Sequence, residues 1–86
     1  MLAEEKIGKV INFFSKINVA AIDLDTGELK IGDKVRIKGQ TTDLVQTIDS
    51  MQINRVSVEK AEKGSSIGIK VNDRVRPEDQ VYKISE

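Results

Sequence analysis

The sequence predicts an all-β fold, a small closed barrel of about six or seven antiparallel strands in Greek-key order. Isoleucine (11) and valine (9) together make 20 residues, whereas leucine and alanine number four each, and β-branched side chains suit a pleated sheet better than a helix. Short alternating stretches recur at roughly 8–12-residue spacing between turn residues, with almost no helical periodicity. Closure into a barrel removes exposed strand edges. A β-sandwich is the structural alternative.

The first two predicted strands form a hairpin. The first covers residues 6–14, and Gly8 within it suits a bend or a close approach of two backbones. Ser15-Lys16 provides a tight turn into the second strand, residues 17–24. Both faces of this strand are apolar, which predicts a central strand that is covered on both sides. A turn at residues 25–27 follows.

The stretch from residue 28 to residue 39 has the clearest pattern. Leu29 and Ile31 precede a turn at Gly32-Asp33. The next strand, residues 34–38, then alternates strictly between two apolar and three cationic positions. Such alternation predicts a half-buried strand whose cationic side faces solvent.

The second half of the chain contains one irregular strand and two regular ones. Residues 44–53 read as a long strand whose apolar phase changes, so a bulge is expected near Asp49-Ser50. Asn54-Arg55 provides a turn before a short extended piece. The remaining predicted elements are one helical turn or a polar loop at 59–63, a strand at 66–71, a turn at 72–73 and a last strand at 80–84.

Composition excludes several classes of chemistry. The chain of 86 residues and 9.6 kDa is expected to form one domain spanning residues 1–86. It has no cysteine and no histidine, so disulfides, thiolate nucleophiles, zinc-finger ligands and histidine acid–base catalysis are excluded. The net charge of zero confines any electrostatic binding surface to a local patch. The N-terminus lacks a signal-peptide core and no apolar run reaches membrane-spanning length, so we expect a cytoplasmic location without membrane contact.

Four segments, in order, carry a resemblance that covers nearly the whole chain. They resemble the phrases G-x-[IL]-x-x-G-D-x-[VI], T-V-x-S-I-[EQ]-M, A-x-x-G-D-x-V-G-[FI] and [IV]-x-R-G-D-V. The segments are residues 27–37 (GELKIGDKVRI), 47–53 (TIDSMQI), 61–69 (AEKGSSIGI) and 76–81 (RPEDQV). The chain therefore resembles the second, β-barrel domain of elongation factor Tu and related translation factors. It is also similar to the C-terminal barrels that accompany the collagenase-like peptidase family, some of whose members modify RNA.

The sequence departs from the translation-factor pattern in three ways. Ser65 replaces the usual aspartate, and Glu78 stands where glycine is common. No G-x-x-x-x-G-K-[ST] phosphate loop occurs. The resemblance therefore implies a barrel without its nucleotide domain, which neither binds nor hydrolyses a nucleoside triphosphate.

A cationic stripe is the first candidate binding feature. Within nine residues, Asp33 is the only acid among four cations, which are Lys30, Lys34, Arg36 and Lys38. Cations on one face of a strand can follow the phosphates of an RNA backbone. The alternative is the solvated face of an exposed strand, where lysines prevent edge-to-edge pairing.

The second candidate follows from the resemblance. In elongation factor Tu the stretch that corresponds to Gln52, Asn54 and Arg55 borders the pocket for the aminoacylated end of tRNA. Gln52 stands at the position of the family's carboxylate and keeps its hydrogen-bonding capacity without the charge. The resemblance implies a remnant of that pocket. The alternative is that these are ordinary surface residues after a buried strand.

The third candidate is the pair Phe13-Phe14. Neighbouring residues of a strand point to opposite faces, so one phenylalanine should fill the core and the other should emerge on the outside. An exposed phenylalanine can stack a base or dock a protein. With only three aromatic residues in the chain, protein docking is favoured, unless the outer ring is covered by the N-terminal segment or by residues 56–58.

These features predict a binding module that is not an enzyme. It would contact structured RNA (tRNA or ribosomal RNA) or a translation-related protein. The alternative is a protein-interaction accessory subunit of a peptidase-like or RNA-modifying enzyme. We expect no catalytic residue, metal or cofactor, because the acid pairs Asp23/Asp25 and Glu78/Asp79 lie near turns, where Asp is common. The sequence leaves the oligomeric state open.

Overall fold

The structure, a computed structural model, describes residues 3–85. All regular elements in this range are β-strands, which confirms the all-β class. The strands are β1 (Ala3–Phe14), β2 (Val19–Leu24), β3 (Leu29–Lys30), β4 (Lys34–Lys38), β5 (Asp43–Thr47), β6 (Met51–Ile53), β7 (Val56–Ser57), β8 (Lys60–Ala61), β9 (Ser66–Lys70) and β10 (Gln80–Ser85). Three of the ten (β3, β7 and β8) have two residues each. The remaining seven strands agree with the prediction of six or seven.

Eight strands form one antiparallel sheet in the order β5-β4-β10-β1-β2-β9-β6-β7, and β3 pairs with β8 in a second, two-stranded sheet. The first and last strands are neighbours, since β1 pairs with β10. The strand β2 lies between β1 and β9, as a central strand should. Its inner face is fully buried, whereas its outer face is only half-buried.

The core is a single cluster of buried aliphatic side chains from both sheets. Strand β4 shows the predicted alternation, with Val35 and Ile37 buried between exposed lysines. Gly8 has the predicted close approach: a Cβ at this position would overlap the backbone carbonyl oxygen of Asp23. The register of β1 against β10 shifts between Lys6 and Gly8, so the glycine also marks an irregularity in the ladder.

The structure corrects three of the predicted strands, of which the first, β1, begins at Ala3 rather than at Lys6. A turn occupies residues 15–18, so β2 begins at Val19 rather than at Ile17. The long strand predicted at 44–53 is divided into β5 and β6 instead of bulged. The phase change is real: β5 pairs with β4 and β6 pairs with β9, so the chain crosses from one part of the sheet to another at residues 48–50. Backbone bonds between Ile48 and the 32–33 turn hold the crossing.

Residues 59–63 form neither a helical turn nor a purely polar loop. Lys60 and Ala61 pair with Lys30 and Leu29 in the small sheet. Ala61 and Leu29 are both buried. The burial of this apolar pair therefore decides the local structure, in spite of the charged residues around it.

Gln46 ties β5 to the chain that leaves β9. Its side chain is 7% exposed. The Nε2 atom donates to the Lys70 carbonyl oxygen at 2.9 Å, and the Oε1 atom accepts from the Asn72 backbone N–H at 2.8 Å. A side-chain amide thus bridges two strands that share no backbone ladder.

Candidate binding groove

A groove of about 370 Å³ runs along the outer face of strands β2, β9 and β6. The strand registers place Ala21 opposite Gly68 and Gly68 opposite Gln52, so these three residues form one row across the sheet. Gly68 has no side chain, and the middle of the row is therefore a depression in the surface of the sheet. A Cβ there would lie 3.3 Å from the Val19 Cγ1 atom, which is a tight contact.

One end of the groove is apolar. Phe14 lies opposite Val19 in the β1–β2 ladder, and Ile17 lies in the turn between them. The side chain of Phe14 is 47% exposed and that of Ile17 is 61% exposed. Two large apolar side chains in solvent beside a groove are typical of a docking surface.

The other end of the groove is polar. It is lined by the Asn54-Arg55 turn and by Ser66. The Ser66 hydroxyl donates to the Asp23 carboxylate at 2.6 Å. Arg55 is exposed and makes no ion pair within the described part of the chain. Its guanidinium group is therefore available to an anionic ligand.

The backbone of the 54–55 turn is in the left-handed region, with φ of 52° at Asn54 and 66° at Arg55. Two positive φ angles between the paired residues Ile53 and Val56 define a two-residue hairpin of the I′ kind, which favours glycine at its second position. Asparagine tolerates this conformation, whereas arginine is strained there. The strained residue thus lines the groove.

The two phenylalanines divide as predicted. Phe13 packs against the core and Phe14 points outward. Phe14 shares the groove with all three residues of the pocket remnant, Gln52, Asn54 and Arg55. The fold therefore brings together two candidates that were separate in the sequence. Sequence reasoning missed three residues of the groove. Ile17 and Val19 were expected in a strand covered on both sides, and Gly68 has no side chain whose polarity could indicate a binding site.

The cationic stripe is partly neutralised by acids from other strands. Arg36 bonds Asp43 through two nitrogens, each at 2.8 Å, and Glu4 through Nη1 at 2.9 Å. Hydrogen bonding, first to Asp43 and then to Glu4, raises the pKa of Arg36. The same bond to Arg36 lowers the pKa of Asp43. Three of the five N–H donors of Arg36 therefore bond to acids within the protein.

The other members of the stripe are exposed lysines. Lys34 and Lys38 lie on the outer side of β4. Lys30 lies in β3, opposite Lys60 in the small sheet, and is not part of the same strand face. The structure thus keeps two unpaired cations on the face where the sequence predicted three, counting ion pairs among residues 3–85.

Residues 3–85 offer no further site of two other kinds. No group of three or more acidic side chains is arranged to hold a metal ion in this range. No helix there has the length and apolarity needed to cross a bilayer.

The chain is similar to parts of longer proteins. It is 48% identical over 82 residues to an uncharacterized protease of Methanocaldococcus jannaschii, a match that covers 94% of this chain and 20% of the relative. It is 40% identical over 81 residues to a collagenase of Porphyromonas gingivalis, covering 93% and 22%. The chain thus spans about a fifth of the length of these relatives. No family model matches it.

Solved structures show the same fold. The C-terminal domain of a U32 peptidase of Geobacillus thermoleovorans has a TM-score of 0.84 at 18% identity, covering 92% of this chain and 91% of that one. GDP-bound aIF5B of Aeropyrum pernix has a TM-score of 0.62 at 16% identity, covering 93% of this chain and 14% of that one. These similarities confirm both resemblances that the sequence motifs predicted.

Proposed function

We propose that this chain is a non-catalytic binding module that serves a peptidase-like catalytic unit by holding a protein partner in the groove. In the relatives named as proteases, about four-fifths of the length lies outside the matched stretch, which leaves room for the catalytic chemistry elsewhere. The sequence itself lacks cysteine and histidine, the side chains that most often act as nucleophile and base. A cytoplasmic location belongs to the same proposal.

One observation carries the proposal: exposed apolar side chains and an unpaired cation meet in one concave site. Phe14 and Ile17 leave apolar surface in water, a cost that a docked partner would remove. Arg55 and Gln52 add hydrogen-bond donors at the same site. Interface centres commonly combine an aromatic anchor, an arginine and a small number of polar groups.

Affinity capture from lysate of the source organism, with and without nuclease, tests this function. We expect a chain of the peptidase family to be retained after nuclease treatment. Gly68→Val, which puts two methyl groups into the groove, should abolish its retention. Val45→Ser is the matched control, since Val45 is an outward residue on β5, 46% exposed and outside the groove. Retention that requires intact RNA, or that survives Gly68→Val, would contradict the proposal.

RNA binding along β4 is the second candidate, and the exposed Lys34 and Lys38 favour it. Filter binding of tRNA at several salt concentrations tests it. Two phosphate contacts would give a salt slope of about −1.8 on duplex-like RNA, using roughly −0.9 per contact. The slope should fall to zero when both lysines are changed to glutamate. A zero slope in the unmodified protein would eliminate this function.

A further inference from the structure

We propose that the groove recognises an extended peptide segment that carries an aliphatic side chain and a carboxylate four residues apart. This inference rests on the proposed function, because it assigns a ligand class to the same groove. Three features carry it: the length of the groove, the division of its ends into apolar and cationic, and the aliphatic character of its walls.

The length of the groove follows from the strand that forms its floor. Val19 lies at the apolar end, and Ser66, which pairs with Asp23 four residues further along β2, lies at the polar end together with the Asn54-Arg55 turn. Four residue steps at about 3.3 Å each span roughly 13 Å. An extended peptide covers the same distance in four residues. Side chains i and i+4 of such a peptide point to the same face, so both can enter the groove.

The charge of the groove lining favours an acidic partner. Arg55 lies at the polar end and is the one charged residue among those that line the groove. The carboxylate of Asp23 already accepts the Ser66 hydroxyl. A peptide carboxylate can therefore pair with the guanidinium group of Arg55, which offers a planar fork of donors suited to it.

The walls favour a peptide over a nucleic acid. Ile17, Val19 and Ala21 present methyl and methylene groups, and Phe14 is the one aromatic residue among those that line this groove. Single-stranded nucleic acids bind by stacking successive bases on several aromatic faces. A leucine or isoleucine side chain instead fills an aliphatic cleft by simple burial.

The strain at Arg55 is a further, independent indication. A glycine would occupy the second position of the 54–55 turn without steric cost, yet an arginine stands there at φ 66°. Strained backbone is concentrated at binding sites, where the side chain has a use that offsets its cost. In this groove that use is recognition of the carboxylate.

Fluorescence anisotropy with a labelled peptide tests the inference on the intact chain. The probe contains Leu-Ser-Ser-Ser-Glu within a serine-rich nine-residue peptide. Replacing its glutamate by glutamine should weaken binding about fivefold, which corresponds to about 1 kcal/mol. Replacing its leucine by serine should weaken binding about tenfold. A probe with two serines between leucine and glutamate should bind less well, because its side chains point to opposite faces.

A double-mutant cycle locates the carboxylate. Arg55→Ala should weaken the glutamate probe about fivefold and leave the glutamine probe unchanged. Arg74→Ala, which changes an exposed arginine outside the groove, is the matched control and should change neither. Equal effects of Arg55→Ala on both probes would overturn the assignment of Arg55.

Amide NMR shifts separate failure of this inference from failure of the proposed function. If the peptides leave the spectrum unchanged while a uridine oligonucleotide shifts the amides of Ala21 and Gly68, the groove is a nucleic-acid site, and both this inference and the proposed function are overturned. If a groove-dependent peptidase-family partner is captured from lysate but no probe binds, the acidic–aliphatic ligand is overturned and the docking function stands. Probe-induced shifts at Ala21 and Gly68, lost in Gly68→Val, support both.

Discussion

Replacing Gln46 with leucine should destabilise the protein by about 2–3 kcal/mol. The change keeps the buried position filled but removes both hydrogen bonds of the side-chain amide, to the Lys70 carbonyl and the Asn72 N–H. Each bond contributes about 1 kcal/mol net, and a backbone group left without a partner in a partly buried site costs more than the bond alone. Because Lys70 and Asn72 are exposed, water can replace part of the lost hydrogen bonding, and this limits the loss of stability.

Urea unfolding followed by far-ultraviolet circular dichroism measures this loss. Gln40→Leu is the matched control, because Gln40 is exposed in the loop between β4 and β5, and it should lie within about 0.5 kcal/mol of the unmodified protein. The slope of the unfolding free energy against urea should stay the same in both variants. A loss below about 0.5 kcal/mol for Gln46→Leu would refute the view that this amide bridges β5 and β9.

Three further changes test the backbone and the charges. Arg55→Gly should raise Tm in calorimetry by about 3–6 °C, because relief of left-handed strain (roughly 1–2 kcal/mol) exceeds the entropy that glycine adds to the unfolded chain (roughly 0.4–1 kcal/mol); a lower Tm would contradict the strain. Gly8→Ala should cost about 2 kcal/mol or more in urea unfolding, because its Cβ overlaps the Asp23 carbonyl; a neutral result would refute the close approach. Asp43→Asn should destabilise the protein at pH 7, and this loss should shrink steadily as the pH falls below 3.8. The hydrogen bond to Arg36 lowers the pKa of Asp43 below its ordinary 3.8, so its stabilisation is present above the unfolded-state pKa and is lost as pH falls through the folded-state value; a loss that stays constant as the pH falls below 3.8 would contradict it.

Local pattern was sufficient to predict most of the strands. Residues 34–38 alternate strictly, and the structure buries the apolar pair and exposes the lysines. The Asn54-Arg55 turn and the use of Gly8 for a close approach were also predicted from residue type. Each of these features depends on residues nearby in the chain or on one neighbouring strand. The alternation of side chains along a strand and the steric limits of the backbone are therefore enough to predict them.

Long-range contacts account for what the sequence did not reveal. The charge of Arg36 is compensated by Asp43 on the neighbouring strand and by Glu4, which is 32 residues away and which no local count of acids can detect. Nothing in the local pattern indicates that Gln46 bonds one backbone group at the end of β9 and another just beyond it. The groove joins Phe14 and Arg55, whose proximity depends on the order of β1, β2, β9 and β6 in the sheet. Strand order is a property of the whole fold.

Site-specific photocrosslinking in cells tests the central claim most directly. A benzoylphenylalanine introduced in place of Phe14 lies at the groove, and one introduced in place of Val45 lies beside Arg36 on the cationic face. The two side chains are equally exposed, at 47% and 46%, so chance encounters should label them equally. We predict a discrete protein adduct from position 14 that Gly68→Val removes. Adducts from position 45 alone, or RNA adducts from either position, would contradict the groove as the site of partner binding.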